Sequence, residues 1–265
     1  MALEDLLYSV DDNICRITLN KPEKLNAMTW SSWAELETCI DTAEADDDVR
    51  AIVITGMGRG FCAGTDLTDR HDPSTWSPRP HSGRKANYRS RFLGTAQVYH
   101  CTKPTIAAVN GVAVGAGFSL ALACDIRIAR EDALFSAIFA KRGIVADTGS
   151  TWFLPRLIGP ERALEMLYTG RIVGAEEAVR IGLAMEMVSR DGFEARVTEL
   201  ATAIAHGPSL ALELDKQLVR DAFTRGLDEQ IQMEQYLQGI TTNSEDSTEG
   251  RMSFLEKREP QFKGR

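Results

Sequence analysis

Between Lys103 and Ala129 the chain reads KPTIAAVNGVAVGAGFSLALACDIRIA, and this stretch restricts the fold more than any other. Thr105 to Val109 is a β-branched, apolar run bounded by Pro104 and by Asn110-Gly111, the pattern of a buried strand with its stop signal. Gly115 and Gly117 permit a turn and a close backbone approach that side chains would forbid. Phe118 to Cys124 then has the small, apolar composition of a buried helix, and Ile126 to Ala129 reads as a further strand. A helix beginning at such a turn aims unpaired N–H groups forward, which suits a phosphate, a carboxylate or a developing oxyanion. The same glycines could serve only to pack a strand against a helix. A dinucleotide site fits poorly, because Leu120 stands where the third glycine of G-x-G-x-x-G would fall. The strand ending at Ala129 also lacks the acidic residue that would hold a ribose.

The 265 residues, 43% of them hydrophobic and 26% charged, are enough for one enzyme domain with an appendage. A net charge of −8 argues against nucleic acid or an anionic membrane as the main partner, since both call for a basic surface. Cys15, Cys39, Cys62, Cys101 and Cys124 are odd in number and lack C-x-x-C spacing, so neither a disulfide framework nor a metal site is expected. The acidic start MALEDLLYSVDDN does not read as a signal peptide, and no apolar run approaches the length of a membrane span. The expectation is a cytoplasmic protein.

In chain order, Leu7 to Val10 and Ile14 to Leu19 read as paired strands about the turn Asp11-Asp12-Asn13. Trp33, Leu36, Ile40 and Ala43 recur at helical spacing within Trp30 to Glu44, with Ser32 and Glu35 spaced as a capping box. Val49 to Thr55 predicts a buried strand ending at Gly56. Thr68 to Gln97 reads as a loop passing into a helix over Asn87 to His100, and its Trp76, His81 and Tyr88 receive no role. Helices follow at Ala163 to Tyr168, and after Phe193 helical patterns replace strands over Ala195 to Ala205, Ser209 to Phe223 and Leu227 to Ile240.

The organising stretch, together with RGFCAGTDL at Arg59 to Leu67 and FLEKREPQFKGR from Phe254, resembles the enoyl-CoA hydratase/isomerase, or crotonase, superfamily. The resemblance implies an α/β crotonase (ClpP-like) spiral core of ββα repeats over residues 1–192 and a C-terminal helical trimerisation region over 193–265. It implies an acyl-CoA thioester substrate, a homotrimer or dimer of trimers, and no cofactor beyond the coenzyme A moiety. It makes the N–H groups of Ala63 and Ala116 the oxyanion-hole donors. It places Lys24, Leu25, Ala63, Gly64, Thr65, Asp66 and Leu67 beside the coenzyme A moiety, with Phe254 and Lys257 closing over the nucleotide, from this or a neighbouring subunit. Asp66 reads as a brace for its loop, or a cap for a following helix, rather than an acid.

Hydratases of this family carry two glutamates that hold the attacking water. Aligned through Cys124-Asp125 and Phe135, their positions here are Ser119 and Phe139. A serine hydroxyl is a poor general base and phenylalanine has no exchangeable proton. The segment GIVADTGSTW resembles the isomerase branch, in which one carboxylate at the place of Asp147 transfers the proton. Asp147 reads alternatively as the N-cap of a helix beginning near Thr148. The expected function is therefore double-bond migration in an enoyl-CoA thioester, with a hydratase or a catalytically weak acyl-CoA-binding protein as alternatives.

Overall fold

A computed structural model describes residues 3–69 and 93–265. Trp76, His81, Tyr88 and the expected helix start at Asn87 lie outside the described residues. β1 (Leu6–Asp11) and β2 (Ile14–Leu19) pair antiparallel with Asp11 opposite Ile14, leaving Asp12 and Asn13 as the turn. Both take positive φ, 47° and 63°, a conformation that Asp and Asn tolerate and that matches the twist of a two-residue hairpin.

The next helix, α1 (Trp30–Ala45), starts from a different cap than expected. The Thr29 hydroxyl accepts the Ser32 N–H, and the Ser32 side chain accepts the Thr29 N–H. Glu35 does other work, its carboxylate accepting the N–H groups of Glu4, Asp5 and Leu6 at 3.0–3.1 Å. The helix thereby ties down the edge of β1.

Six strands belong to one sheet: β1, β2, β3 (Ala51–Gly56), β5 (Thr105–Val109), β7 (Ile126–Arg130) and β10 (Glu186–Val188) lie in the order β1-β2-β3-β5-β7-β10. All neighbours after β1 are parallel. A smaller sheet takes β4 (Gly60–Cys62), β6 (Val112–Val114), β8 (Leu134–Ser136) and β9 (Val173–Gly174), in that order. The chain alternates between the sheets, β3 then β4, β5 then β6, β7 then β8, which is the strand-strand-helix spiral expected from the sequence. Each return to the first sheet lands beside the previous visit, so every β-to-β corner falls on the same side of the spiral as the last.

Both faces of the central strands β3 and β5 are buried, which is why they read as nearly unbroken apolar runs, whereas β2 alternates and β1, at the edge, is largely exposed. Ile52, Ile54, Ala107 and Val109 face a core shared with Leu36 and Ile40 of α1. Val53, Ile106, Ala108 and Ile128 face a second cluster with Phe193, Val197 and Ala201 of α7 (Phe193–Ala205). The region after residue 192 thus begins with a helix that completes the packing of the sheet.

The remaining helices are α2 (Leu93–His100), α3 (Ala116–Ala123), α4 (Ser150–Ile158), α5 (Pro160–Thr169), α6 (Ala175–Arg180), α8 (Ser209–Asp221), α9 (Leu227–Thr241) and α10 (Glu245–Glu256). Among the described residues no helix is long and apolar enough to cross a membrane. All five cysteines are buried and unpaired, and burial pushes the thiols of Cys62 and Cys124 up to about 12, so they are poor nucleophiles.

If α7 is core rather than appendage, Phe193→Ala should cost about 3–5 kcal/mol in urea unfolding, the loss for a large aromatic removed from a packed interior. A loss near zero would assign the helix a role outside the core.

Candidate active site

The turn between β6 and α3 is built by glycine. Gly115 has φ +56°, and its N–H donates to the Ser136 carbonyl at 3.1 Å. Ala116 follows as the first residue of α3, so its N–H has no partner within the helix. A Cβ on Gly117 would lie 2.2 Å from the Cys62 carbonyl oxygen, and one on Gly64 would lie 2.9 Å from the Val114 carbonyl oxygen and 3.4 Å from the Ala116 nitrogen. Gly64 has φ +94° as well. These two glycines let the loop after β4 lie directly against the first turn of α3, main chain to main chain.

That loop revises one expected donor. The Ala63 N–H is already bonded to the Leu25 carbonyl at 2.9 Å, so it is not free for a ligand. Met28 pairs with Thr65 as a parallel bridge, its N–H donating to Gly64 and its carbonyl accepting from Asp66. In extended chain successive peptide groups point to opposite sides. The N–H of Thr65 therefore turns away from Met28, and among the described residues no acceptor meets it. Thr65 is exposed, whereas Ala116 is buried. Sequence inspection missed this because the choice between neighbouring N–H groups depends on a bridge to Met28, well over thirty positions away.

Lys24 and Leu25 lie against the β4 strand and the loop that follows it. Leu25 takes a left-handed conformation, φ 51°, and packs on Gly60, while Lys24 Nζ lies 2.6 Å from Asp66 Oδ2. Asp66 is 7% exposed and also accepts the Thr68 N–H and hydroxyl, at 2.9 and 2.6 Å. The Lys24 ammonium first, then the two Thr68 donors, hold this carboxyl far below the usual carboxylate range. It braces the loop, in agreement with its sequence reading, and it is not a proton carrier near neutral pH. Leu67 projects outward, 78% exposed.

Asp147 sits in a tight turn leading into α4. The expectation of an N-cap is not met: Gly149 occupies the cap, and no side chain bonds the helix start there. The Asp147 carboxyl accepts the Thr148 hydroxyl at 3.2 Å, while its main-chain carbonyl accepts the Ser150 N–H at 3.1 Å. The carboxyl is half-buried, and burial raises its pKa above the ordinary aspartate value, only partly offset by the Thr148 hydroxyl and its own N–H. Of the apolar side chains in the same segment, Phe139 and Phe153 are buried, but Ile144 is 54% exposed and Trp152 38%. Tyr99 of α2 meets the rings of Trp152 and Phe153 with centroids 5.0 and 5.4 Å apart, so this wall is aromatic.

The other acidic residues between α3 and α4 are occupied. Asp125 pairs with Lys216 at 2.6 Å and Arg220 at 3.0 Å, Glu131 accepts the Arg190 N–H, and Asp132 pairs with Arg130 and Arg190. Asp147 has no cationic partner among the described residues. Ser119 and Phe139, which the sequence resemblance aligns with the hydratase glutamates, are both buried.

Phe254 and Lys257 lie at the end of α10, Phe254 82% exposed and Lys257 in a left-handed cap with φ 55°. Among the described residues, no hydrogen bond or ion pair joins them to the loop carrying Lys24 and Asp66. The tail beyond them is held elsewhere, Arg50 donating to the carbonyls of Phe262 and Lys263.

The profile of the enoyl-CoA hydratase/isomerase family matches residues 9–265 of the chain. The chain is 39% identical over 99% of its length to 1,2-epoxyphenylacetyl-CoA isomerase of Escherichia coli K12, covering 100% of that protein. It is 32% identical to crotonyl-CoA hydratase of Syntrophomonas wolfei, with 99% of each chain covered. Among solved structures, enoyl-CoA hydratase subunit I of Geobacillus kaustophilus HTA426 superposes with a TM-score of 0.89 at 34% identity, again over 99% of each chain. With a full-length profile match, relatives aligned end to end, and the same spiral of alternating strands, this chain belongs to the enoyl-CoA hydratase/isomerase family and has its crotonase fold.

Proposed function

We propose that the protein is an isomerase that moves the double bond of an enoyl-CoA thioester from C3–C4 to C2–C3, with Asp147 as the proton carrier. The observation that carries this reading is the state of the carboxylates: Asp147 is half-buried and has no cationic partner among the described residues, and the family resemblance sets Ser119 and Phe139, neither of them acidic, against the hydratase glutamates. Its 39% identity to a protein named as an isomerase supports the same choice, although hydratases also stand among the relatives.

The proposed reaction balances with one base. The Asp147 carboxylate takes a proton from C2, and the electron pair moves into the thioester, placing negative charge on its oxygen. The N–H of Ala116, at the start of α3, and that of Thr65, across the Gly64 contact, are the proposed donors to that oxygen; each such donor is typically worth roughly 10²–10³ in rate. The pair then returns through the conjugated chain, and C4 takes the same proton back from Asp147. Burial of the carboxyl raises its basicity toward that of the thioester α-carbon. Hydration would need a second carboxylate to hold water. Nothing in this scheme calls for a metal or a redox group.

For coenzyme A, we propose that the loop from Ala63 to Leu67 with Lys24 and Leu25 lies beside the pantetheine and nucleotide, and that Phe254 and Lys257 are supplied by a neighbouring subunit. The exposed Val219, Leu227, Tyr236 and Leu255 on α8, α9 and α10, with Phe223 in the turn between α8 and α9, support assembly through these helices.

Asp147→Asn should fold and lose about 10²–10⁴-fold of the turnover of a 3-enoyl-CoA, followed by the rise of the conjugated 2-enoyl product. The parent should hydrate crotonyl-CoA slowly. Efficient hydration by the parent together with undiminished isomerisation by Asp147→Asn would sink the assignment.

The pH profile adds a second check. A base must be unprotonated, so parental turnover should fall as pH drops through the Asp147 pKa, which burial raises above the ordinary aspartate value. The same raised pKa means that the ionised group opposes folding at neutral pH. Asp147→Asn should therefore be at least as stable as the parent at pH 7, with the advantage fading as pH falls and the parental carboxyl takes its proton.

Light scattering at micromolar concentration should give a trimer or a multiple of it, and a monomer would remove the proposed subunit contribution of Phe254 and Lys257.

A further inference from the structure

Ser119 is not merely the absence of a glutamate. It lies one turn into α3, the helix whose first residue is Ala116, and it is fully buried together with Ser150, the first residue of α4. The two hydroxyl oxygens are 2.6 Å apart, and Ser150 Oγ is 3.0 Å from the main-chain carbonyl oxygen of Asp147. Ser119 Oγ lies farther from that carbonyl, at 3.5 Å, and from the Gly115 carbonyl, at 3.3 Å. Each hydroxyl has one proton to donate. The chain with the shortest links runs from Ser119 O–H to Ser150 Oγ and from Ser150 O–H to the Asp147 carbonyl. In such a buried relay each bond polarises the next.

The held turn is one that would not persist unaided. Thr148 has φ 50°, the left-handed region, without being glycine, and such a residue stays there only when its surroundings over-determine it. Gly149 follows with φ +87°, and a Cβ on it would come within 2.5 Å of the Phe153 ring. The carbonyl of Thr148 accepts the buried Thr95 hydroxyl of α2 at 3.0 Å. Three helices thus each send one hydroxyl to this turn.

We propose that Ser119 and Ser150 are positioning residues, a two-hydroxyl clamp that fixes the Asp147 turn against the helix bearing the Ala116 N–H. This deepens the isomerase reading and rests on Asp147 being its base. A serine at position 119 then does a different job from the one a glutamate would do: it spans the gap between α3 and the Asp147 turn, and leaves no carboxylate to hold a water. A buried serine bonded only back to the carbonyl four residues earlier would be the plain alternative, and the 2.6 Å contact to Ser150 against 3.3 Å to Gly115 decides between them.

Two measurements on the full-length protein test the clamp. In the first, Ser119→Ala and Ser150→Ala should each lower kcat by about 10- to 100-fold with KM changed less than about twofold, the signature of a misplaced reacting group rather than lost binding. The double variant should be little slower than the slower single one, because both serines belong to one chain. Ser119→Cys, close in volume and a weaker donor, should fall between Ser119→Ala and the parent. In the second, hydrogen–deuterium exchange of the substrate-free protein should speed up over residues 144–153 in either alanine variant while β3 and β5 keep the parental rate. Parental kcat in Ser119→Ala, losses that multiply in the double variant, or unchanged exchange over 144–153 would each overturn the clamp. The exchange measurement involves no substrate, so it judges the clamp even where Asp147→Asn retains turnover and the isomerase reading falls.

Discussion

Everything at this site depends on a main-chain contact that only glycine allows. The loop after β4 meets the first turn of α3 so closely that a methyl group on Gly64 or Gly117 would strike a carbonyl oxygen of the other segment. Backbone packed against backbone brings N–H groups of two distant segments to one place with no side chain between them. It also makes alanine at position 116 and threonine at 65 compatible with the proposed donor role, since that role needs only the peptide nitrogen. The smaller sheet is what presents the loop and the turn together, β4 and β6 being parallel neighbours.

Two aspartates show how neighbours rather than residue type set acid strength. Asp66 has a lysine and two Thr68 donors, which favour its charged form, and its pKa is depressed. Asp147 has one hydroxyl and its own N–H against the desolvation of a half-buried position, and its pKa is raised. The first carboxylate is therefore a fixed negative brace for the loop beside the proposed coenzyme A site. The second is the proposed proton carrier. A buried cation network does a third job nearby: Lys216 and Arg220 of α8 converge on Asp125, just past α3, and Arg220 also stacks over Tyr99 at 4.2 Å. That network links the C-terminal helices to the aromatic cluster of Tyr99, Trp152 and Phe153.

The large sheet supplies the stiffness for these arrangements. Buried on one face by α1 and on the other by α7, it has few ways to shift without exposing Ile52 and Ile54 or Val53 and Ile106. The corners where the chain crosses to the smaller sheet lie at the proposed site, while the central strands β3 and β5 are largely apolar. This is the usual division between a scaffold and the loops it positions.

Much of this was legible in the sequence because it is local. The strand Thr105–Val109, the glycine turn, the hairpin with Asp12 and Asn13, the apolar runs of a doubly covered sheet and the family likeness all follow from residues close together in the chain. Short strands such as β4, β6 and β8, three residues each, carry too little pattern to be read alone. Tertiary structure decided what depends on distant partners: that Leu25 consumes the Ala63 N–H and leaves that of Thr65, that Gly149 rather than Asp147 stands at the cap of α4, and that Thr29 rather than Glu35 closes the capping box of α1. It also brought Ser119 to Ser150, thirty-one positions on, where two unremarkable serines become one hydrogen-bonded unit. A hydrogen bond is set by where its acceptor lies in space, and sequence spacing fixes that only within a turn or two of chain.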